Sequence, residues 1–226
     1  DKSIASFHDW AQAQGLTLAN ALDAAADDAV LPLVGRAAKG MADFARLLKQ
    51  PDTQYRRLAQ QAREGFQRFL NTDDGGLHDV LDGPQGNDAT LRPNQIFAVS
   101  LPHSPLDAAN QADVVSLVGR ELLTSYGLRS LAPAHSDYRQ RYEGGVWERD
   151  GAYHQGPVWA WLLGHYALAH LRVNGDGDAA LALIEPMRFH LLDAGLGTVS
   201  EIFDGMPPHT PRGAPCQAWS VACTLE

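Results

Sequence analysis

The chain reads as an all-α protein of the toroid type, and three observations predict it. Apolar residues recur at helical spacing through most of the sequence, while long strand-like alternation is scarce. The helices come in pairs joined by a short link and followed by a long polar loop, the rhythm of inner and outer helices whose long loops gather at one rim. No solenoid-type repeat is present, which weighs against a tetratricopeptide or armadillo array.

The elements follow in order. Asp1 to Val34 is Ala-rich and weakly amphipathic, and residues 1–35 are read as a separate N-terminal helical segment ahead of a portion of the toroid over 36–226. From Arg36 to Lys49, residues Ala37, Met41, Phe44, Ala45, Leu47 and Leu48 form a broad stripe that Pro51 ends. A second helix from Asp52 to Leu70, with Asp52 as N-cap, turns Tyr55, Leu58, Ala62, Phe66, Phe69 and Leu70 inward, so the two form an antiparallel hairpin. Residues 71–91 carry Gly, Asp and Asn over too long a stretch for a simple connection.

A third helix is expected to begin at Pro93 with Ile96, Phe97, Val99 and Leu101 inward. A fourth runs from Asp107 to Tyr126 and ends at Gly127. After a loop over Arg129 to Gln155, a fifth from Gly156 to Leu171 is dense in Trp159, Trp161, Leu162, Leu163, Tyr166 and Leu168. The sixth, Asp178 to Leu192, places Leu181, Ile184, Met187, Phe189 and Leu192 inward and is interrupted or bent at Pro186. A last helix starts near Pro215.

Composition sets bounds on function. The 226 residues suffice to bury a substantial core, and 45% hydrophobic with 20% charged residues is ordinary for a folded globular chain. A net charge of -9 without a large basic cluster argues against a nucleic-acid partner. No apolar run is long enough to span a membrane. Cys216 and Cys223 have neither zinc nor disulfide-scaffold spacing, which favours a reducing cytoplasm. The chain begins at Asp1, so a longer natural protein is expected.

Three loops carry polar residues that a core does not explain. Arg92, Asn94 and Gln95 precede an apolar helix, where they are either capping and surface residues or a binding edge. His154, Gln155 and Trp159 combine hydrogen-bonding edges with a flat apolar face, matching the hydroxyl rim and C–H faces of a sugar ring. Trp161 is read as core and Trp159 as contact. Glu201 and Asp204 stand near Phe203 and Trp219, an arrangement suited to a polar ligand held against aromatic rings. Glycosidic cleavage needs two carboxyl groups, one protonated and one ionised, and Glu201 is a candidate for the ionised member.

The strings Arg92 to Leu101, Tyr153 to Gly164, and Ser200 to Gly205 through Ala218 to Ala222 closely resemble, in that order, the C-terminal amylo-α-1,6-glucosidase domain of glycogen debranching enzymes. Leu77 to Gly83 with Asp88, and Gly127 to Pro133, look like the same family, so the resemblance covers roughly Arg36 to Leu225. It implies an (α/α)6 toroid, here the C-terminal part of the ring, with no metal and no organic cofactor. It implies hydrolysis of α-1,6-linked glucose at glycogen or limit-dextrin branch points with inversion. Glu201 would then be the general base, and Asp82, Arg92, Asn94, Gln95, His154, Gln155, Trp159, Asp204 and Trp219 would bind hydroxyls or stack on sugar rings. Asp204 and Arg212 have an alternative, to pair with each other and shape the loop.

The departures also carry information. The family's general acid lies in a Thr-Trp-Met-Asp-Ala type motif that this chain lacks, so the acid is expected from a missing N-terminal half of the same enzyme. Val34-Gly35-Arg36 stands where the family has Glu-Ile-Asn. The rival readings are a catalytically inactive glucan-binding remnant and a trehalase-like inverting α-glucosidase.

Overall fold

The computed structural model describes residues 31–194 and 196–225, and the helical segment expected over residues 1–35 lies almost wholly outside them. The chain forms two compact units, one of residues up to 69 with 80–87, the other of 70–79 with 88–226.

In the first unit, α1 (Leu31–Leu47) and α2 (Thr53–Phe66) form the expected antiparallel hairpin, and a 3-10 turn (Gln67–Phe69) extends the second helix. Asp52 occupies the N-cap but makes no side-chain capping bond; its carboxylate instead pairs with Arg56 at 2.8 Å. The inward face of α2 is as expected, with Ala62, Phe66 and Phe69 buried and the two phenylalanine rings stacked 5.1 Å apart. In α1 the expected stripe is corrected. The helix buries Ala38, Ala42 and Ala45, and leaves Ala37, Met41, Phe44, Leu47 and Leu48 exposed. Small residues let two helix backbones approach closely, and a Cβ built on Gly35 would stand 3.2 Å from the Ala62 Cβ. Strands β1 (Val80–Gly83) and β2 (Gly86–Asp88) make a hairpin whose Leu81 is buried.

The second unit is built around α6 (Leu162–Asn174), which buries Leu162, Leu163, Tyr166, Ala167 and Ala169 and packs against α3 (Phe97–Ser100), α4 (Ala108–Glu121), α7 (Gly177–Ile184) and α9 (Ala218–Leu225). Asp107 caps α4, its carboxylate accepting from the Asn110 N–H at 2.8 Å. Pro186 ends the sixth predicted helix and opens α8 (Pro186–His190), as a missing N–H at a first helical position permits. The inward set there is corrected: Ala180, Met187 and His190 are buried, whereas Leu181, Phe189 and Leu192 face outward.

The largest departure is a five-stranded antiparallel sheet, ordered β3 (Leu123–Thr124), β4 (Gly127–Arg129), β5 (Val158–Trp159), β6 (Ile202–Phe203) and β7 (Pro211–Arg212). It replaces the ends of two predicted helices. The fourth helix stops at Glu121, and the fifth begins at Leu162 after Trp159 has served as a strand residue. Gly127 sits at φ +151°, and a Cβ there would strike the Trp159 carbonyl. A further helix absent from the sequence reading, α5 (Val146–Ala152), lies in the long loop before β5. The pairs Leu128↔Trp159 and Trp159↔Ile202 bring together segments remote in sequence, and Leu128, Val158, Ile202 and Phe203 seal the sheet into the core.

Candidate active site

The sheet sets the site. Pairing of Trp159 with Ile202 places the residue before β6, Glu201, beside the residue after β5, and the Ala160 N–H donates to the Glu201 carbonyl at 3.4 Å. Glu201 itself is partly exposed. Its Oε1 accepts the Tyr153 hydroxyl at 2.5 Å and, more weakly, Gln217 Nε2 at 3.4 Å; Oε2 accepts the Ala214 N–H at 2.9 Å. All three donors are uncharged, so the carboxylate has hydrogen bonds and no cation among these contacts. Burial first, and then the Glu201 hydrogen bond, push the Tyr153 hydroxyl well above the ordinary tyrosine range, so it is a donor at every working pH.

Beside this pair lies an aromatic wall. His154 stacks on Trp159 with centroids 5.1 Å apart and planes 4° from parallel, and Tyr153 meets both rings edge-on at 4.9 and 4.8 Å. The Trp159 indole N–H donates to the Tyr153 carbonyl at 3.2 Å, which holds the ring in place. Burial, reinforced by Arg92, depresses the His154 imidazole below its usual value and favours the neutral ring.

Arg92 joins the first loop to this wall. Its Nη1 donates to the carbonyls of His154 at 2.8 Å and Ser130 at 3.1 Å, its Nη2 to Gln155 Oε1 at 3.1 Å, and its Nε lies 3.6 Å from Asp79 Oδ2. Gln95 is buried and also ties protein to protein, accepting from the Leu77 N–H at 3.2 Å and donating to the Arg92 carbonyl at 3.1 Å. Asn94 is exposed. The loops of Arg92, His154 and Glu201 thus converge through a continuous set of contacts from Arg92 to His154, Tyr153 and Glu201.

Three further expected residues have other partners. Asp204 is 4% exposed and is gripped by Arg212, with Nε 3.1 and 3.2 Å from its two oxygens and Nη2 3.0 Å from Oδ2, while the Tyr142 N–H donates to Oδ1 at 2.9 Å. The carboxylate is committed to the loop, which is the pairing that was the alternative for it. Trp219 is 65% exposed and tilts against Trp161 at 5.9 Å, and Trp161 in turn stacks on Phe97 at 5.5 Å. Asp82 belongs to the first unit, where it has φ +52° and pairs with Arg68.

Reading the sequence missed Tyr153, Gln217 and the Ala214 N–H as partners of Glu201. Tyr153 had a signal, since it opens the string that carries His154 and Gln155. The other two had none, because only the turn at Gly213 (φ +67°) brings residues 214–217 back over the carboxylate. Among the described residues no group of three or more His, Cys, Asp or Glu is arranged to hold a metal ion.

Residues 29–226 match the amylo-alpha-1,6-glucosidase family. The chain belongs to that family. Over 167 residues it is 25% identical to the glycogen debranching enzyme of Saccharomyces cerevisiae, a match covering 64% of this chain and 11% of the yeast protein. Among solved structures it is similar to the GH63 mannosylglycerate hydrolase of Thermus thermophilus bound to Tris (TM-score 0.64, 18% identity, 86% of this chain and 43% of that one). It is also similar to the neutral trehalase of Saccharomyces cerevisiae (TM-score 0.60, 16% identity, 88% of this chain and 36% of that one). The chain therefore spans about a tenth of the yeast debranching enzyme and under half of either solved relative. These likenesses give this family member the all-α toroid-type fold, of which it holds part of the ring. It is a glycoside-hydrolase-like domain. No helix among the described residues is long and apolar enough to cross a membrane.

Proposed function

We propose that this chain carries the base half of an inverting glycosidase that hydrolyses α-1,6-linked glucose at the branch points of glycogen or limit dextrin. Glu201 is the general base. The observation that carries this reading is a partly exposed carboxylate, held on both oxygens by uncharged donors and set beside the His154–Trp159 wall in a member of the amylo-α-1,6-glucosidase family. A flat ring pair offers a face to the C–H side of a glucose unit, and the neighbouring carboxylate activates water. Inversion requires about 6.5 to 9.5 Å between the base and a carboxylic acid that protonates the departing oxygen. That acid is contributed by chain beyond the described residues. The partner is a branched α-glucan, and the reaction belongs in the cytoplasm, in keeping with a cysteine content of two without disulfide-scaffold spacing.

Glu201→Gln tests the assignment. In the full-length enzyme it is expected to lower glucose release from limit dextrin by about 100- to 10,000-fold at an unchanged melting temperature, and near-normal turnover would rule it out. Proton NMR of the first-formed glucose reads the stereochemistry directly: β-glucose is expected from an inverting enzyme. Trehalose offered beside limit dextrin separates the trehalase-like alternative, and the 226-residue chain alone is expected to release no glucose from either.

A further inference from the structure

We infer that Tyr153 is a positioning residue that fixes the Glu201 carboxylate so that Oε2, and not Oε1, faces the reacting water. The inference rests on Glu201 being the base. Each carboxylate oxygen offers two lone-pair sites. On Oε1 both are taken, by the Tyr153 hydroxyl at 2.5 Å and Gln217 Nε2 at 3.4 Å. On Oε2 the Ala214 N–H fills one at 2.9 Å and leaves one open.

A second observation concerns the same oxygen. Gly213 lies against Oε2, where a Cβ would strike that atom and crowd Ile202 and the Glu201 Cβ, so only glycine lets the turn pack closely enough for the Ala214 N–H to reach Oε2. Tyr153 is well suited to its part. Its ring stands edge-on against the stacked pair of His154 and Trp159, and it follows directly on α5, so its hydroxyl has little freedom to leave Oε1. One residue thereby links the wall that receives the sugar to the group that activates water.

The proton balance is simple. Water gives a proton to Oε2 as its oxygen bonds to the sugar carbon, the bond from that carbon to the glycosidic oxygen breaks, and the departing oxygen takes a proton from the carboxylic acid noted above. Tyr153 keeps its own proton throughout. Its task is to stop the carboxylate from rotating, which would direct either oxygen at random toward the water.

A double-mutant cycle on the active enzyme tests this, with kcat and KM for glucose release from limit dextrin measured for Tyr153→Phe, Glu201→Gln and the pair. Tyr153→Phe is expected to lower kcat about 10- to 100-fold with KM changed less than about threefold, and to cost less than about threefold more once Glu201 is already Gln. Unchanged kcat in Tyr153→Phe, or a loss that multiplies in full in the double variant, overturns the inference while leaving Glu201 as base. Normal turnover in Glu201→Gln, or a natural enzyme without turnover, overturns the base reading and this inference with it. Should Tyr153→Phe fold poorly, 3,5-difluorotyrosine at position 153 keeps the ring and hydroxyl while altering the acidity of the O–H. Changed kcat at an unchanged melting temperature supports the role, and unchanged kcat overturns it. Gly213→Ala, which sets a methyl against Oε2, is expected to lower kcat about tenfold or more, and normal kcat would overturn the choice of Oε2.

Discussion

Glu201 and Asp204 stand three residues apart on one loop, yet the fold treats them as opposites. Asp204 is buried, with one edge of the Arg212 guanidinium reaching both its oxygens and a backbone N–H on one of them. Glu201 is partly exposed, has only uncharged donors among its contacts, and keeps one lone pair open. A carboxylate neutralised by an arginine is a poor base and a good strut. One held by a hydroxyl and a peptide N–H keeps its charge available to water. The difference lies in the partners, and composition of the loop alone does not reveal it.

The comparison can be broken most directly by exchanging the losses. Asp204→Ala leaves the Arg212 charge without its buried partner and is expected to destabilise the protein by about 2–4 kcal/mol. That lies toward the low side for such pairs because a third of the Arg212 side chain remains in solvent. In a chain of this size the melting temperature should fall by roughly 5–15 °C in a thermal scan. Glu201→Gln should move it by less than about 2 °C, and a larger drop would show that Glu201 too is a strut.

Trp159→Ala probes the wall rather than either carboxylate. It removes the surface under His154 and is expected to raise KM about tenfold, with kcat changed far less than in Tyr153→Phe. Equal loss in kcat would mean that the wall positions the base and not the sugar.

The smallest effect is on acid sensitivity. His190 is fully buried, its Nε2 accepts the Ser200 N–H at 3.1 Å, and burial lowers its proton affinity although Asp193 partly opposes this. The unfolded chain takes up a proton near pH 6.5 where the folded protein refuses it, so the contribution is complete above that pH and is lost as the pH falls toward the depressed folded value. Melting temperature against pH should therefore decline below about 6.5, and His190→Gln should flatten that decline.

Much of this was legible in the residues. The α1–α2 hairpin, the break at Pro186 and the helix start at Asp107 each rest on local chemistry that acts within a few positions. The convergence of Arg92, His154 and Glu201 was legible from the resemblance, and the Asp204–Arg212 pair was foreseen as an alternative. Other features were not local. Two-residue strands such as Val158–Trp159 are too short to show alternation, so they were absorbed into the neighbouring helix. The buried face of α1 was misplaced because size pointed to Met41 and Phe44, whereas close approach of the helices selects Ala38, Ala42 and Ala45. The protein contacts of Arg92 and Gln95 come from residues 77, 130, 154 and 155, which no local pattern around residue 92 reveals, apart from Gln95 reaching back to the Arg92 carbonyl.

The sheet running from Leu123 to Arg212 has a kinetic consequence. Its ladders close loops of very different length, and none can form before the segments they join have met. Glu201 acquires its neighbours only when those late contacts are in place. Edge-on packing of Tyr153 on Trp159, read by tryptophan fluorescence, would then recover as a late signal, lagging behind any helical signal from α1, α2 and α6.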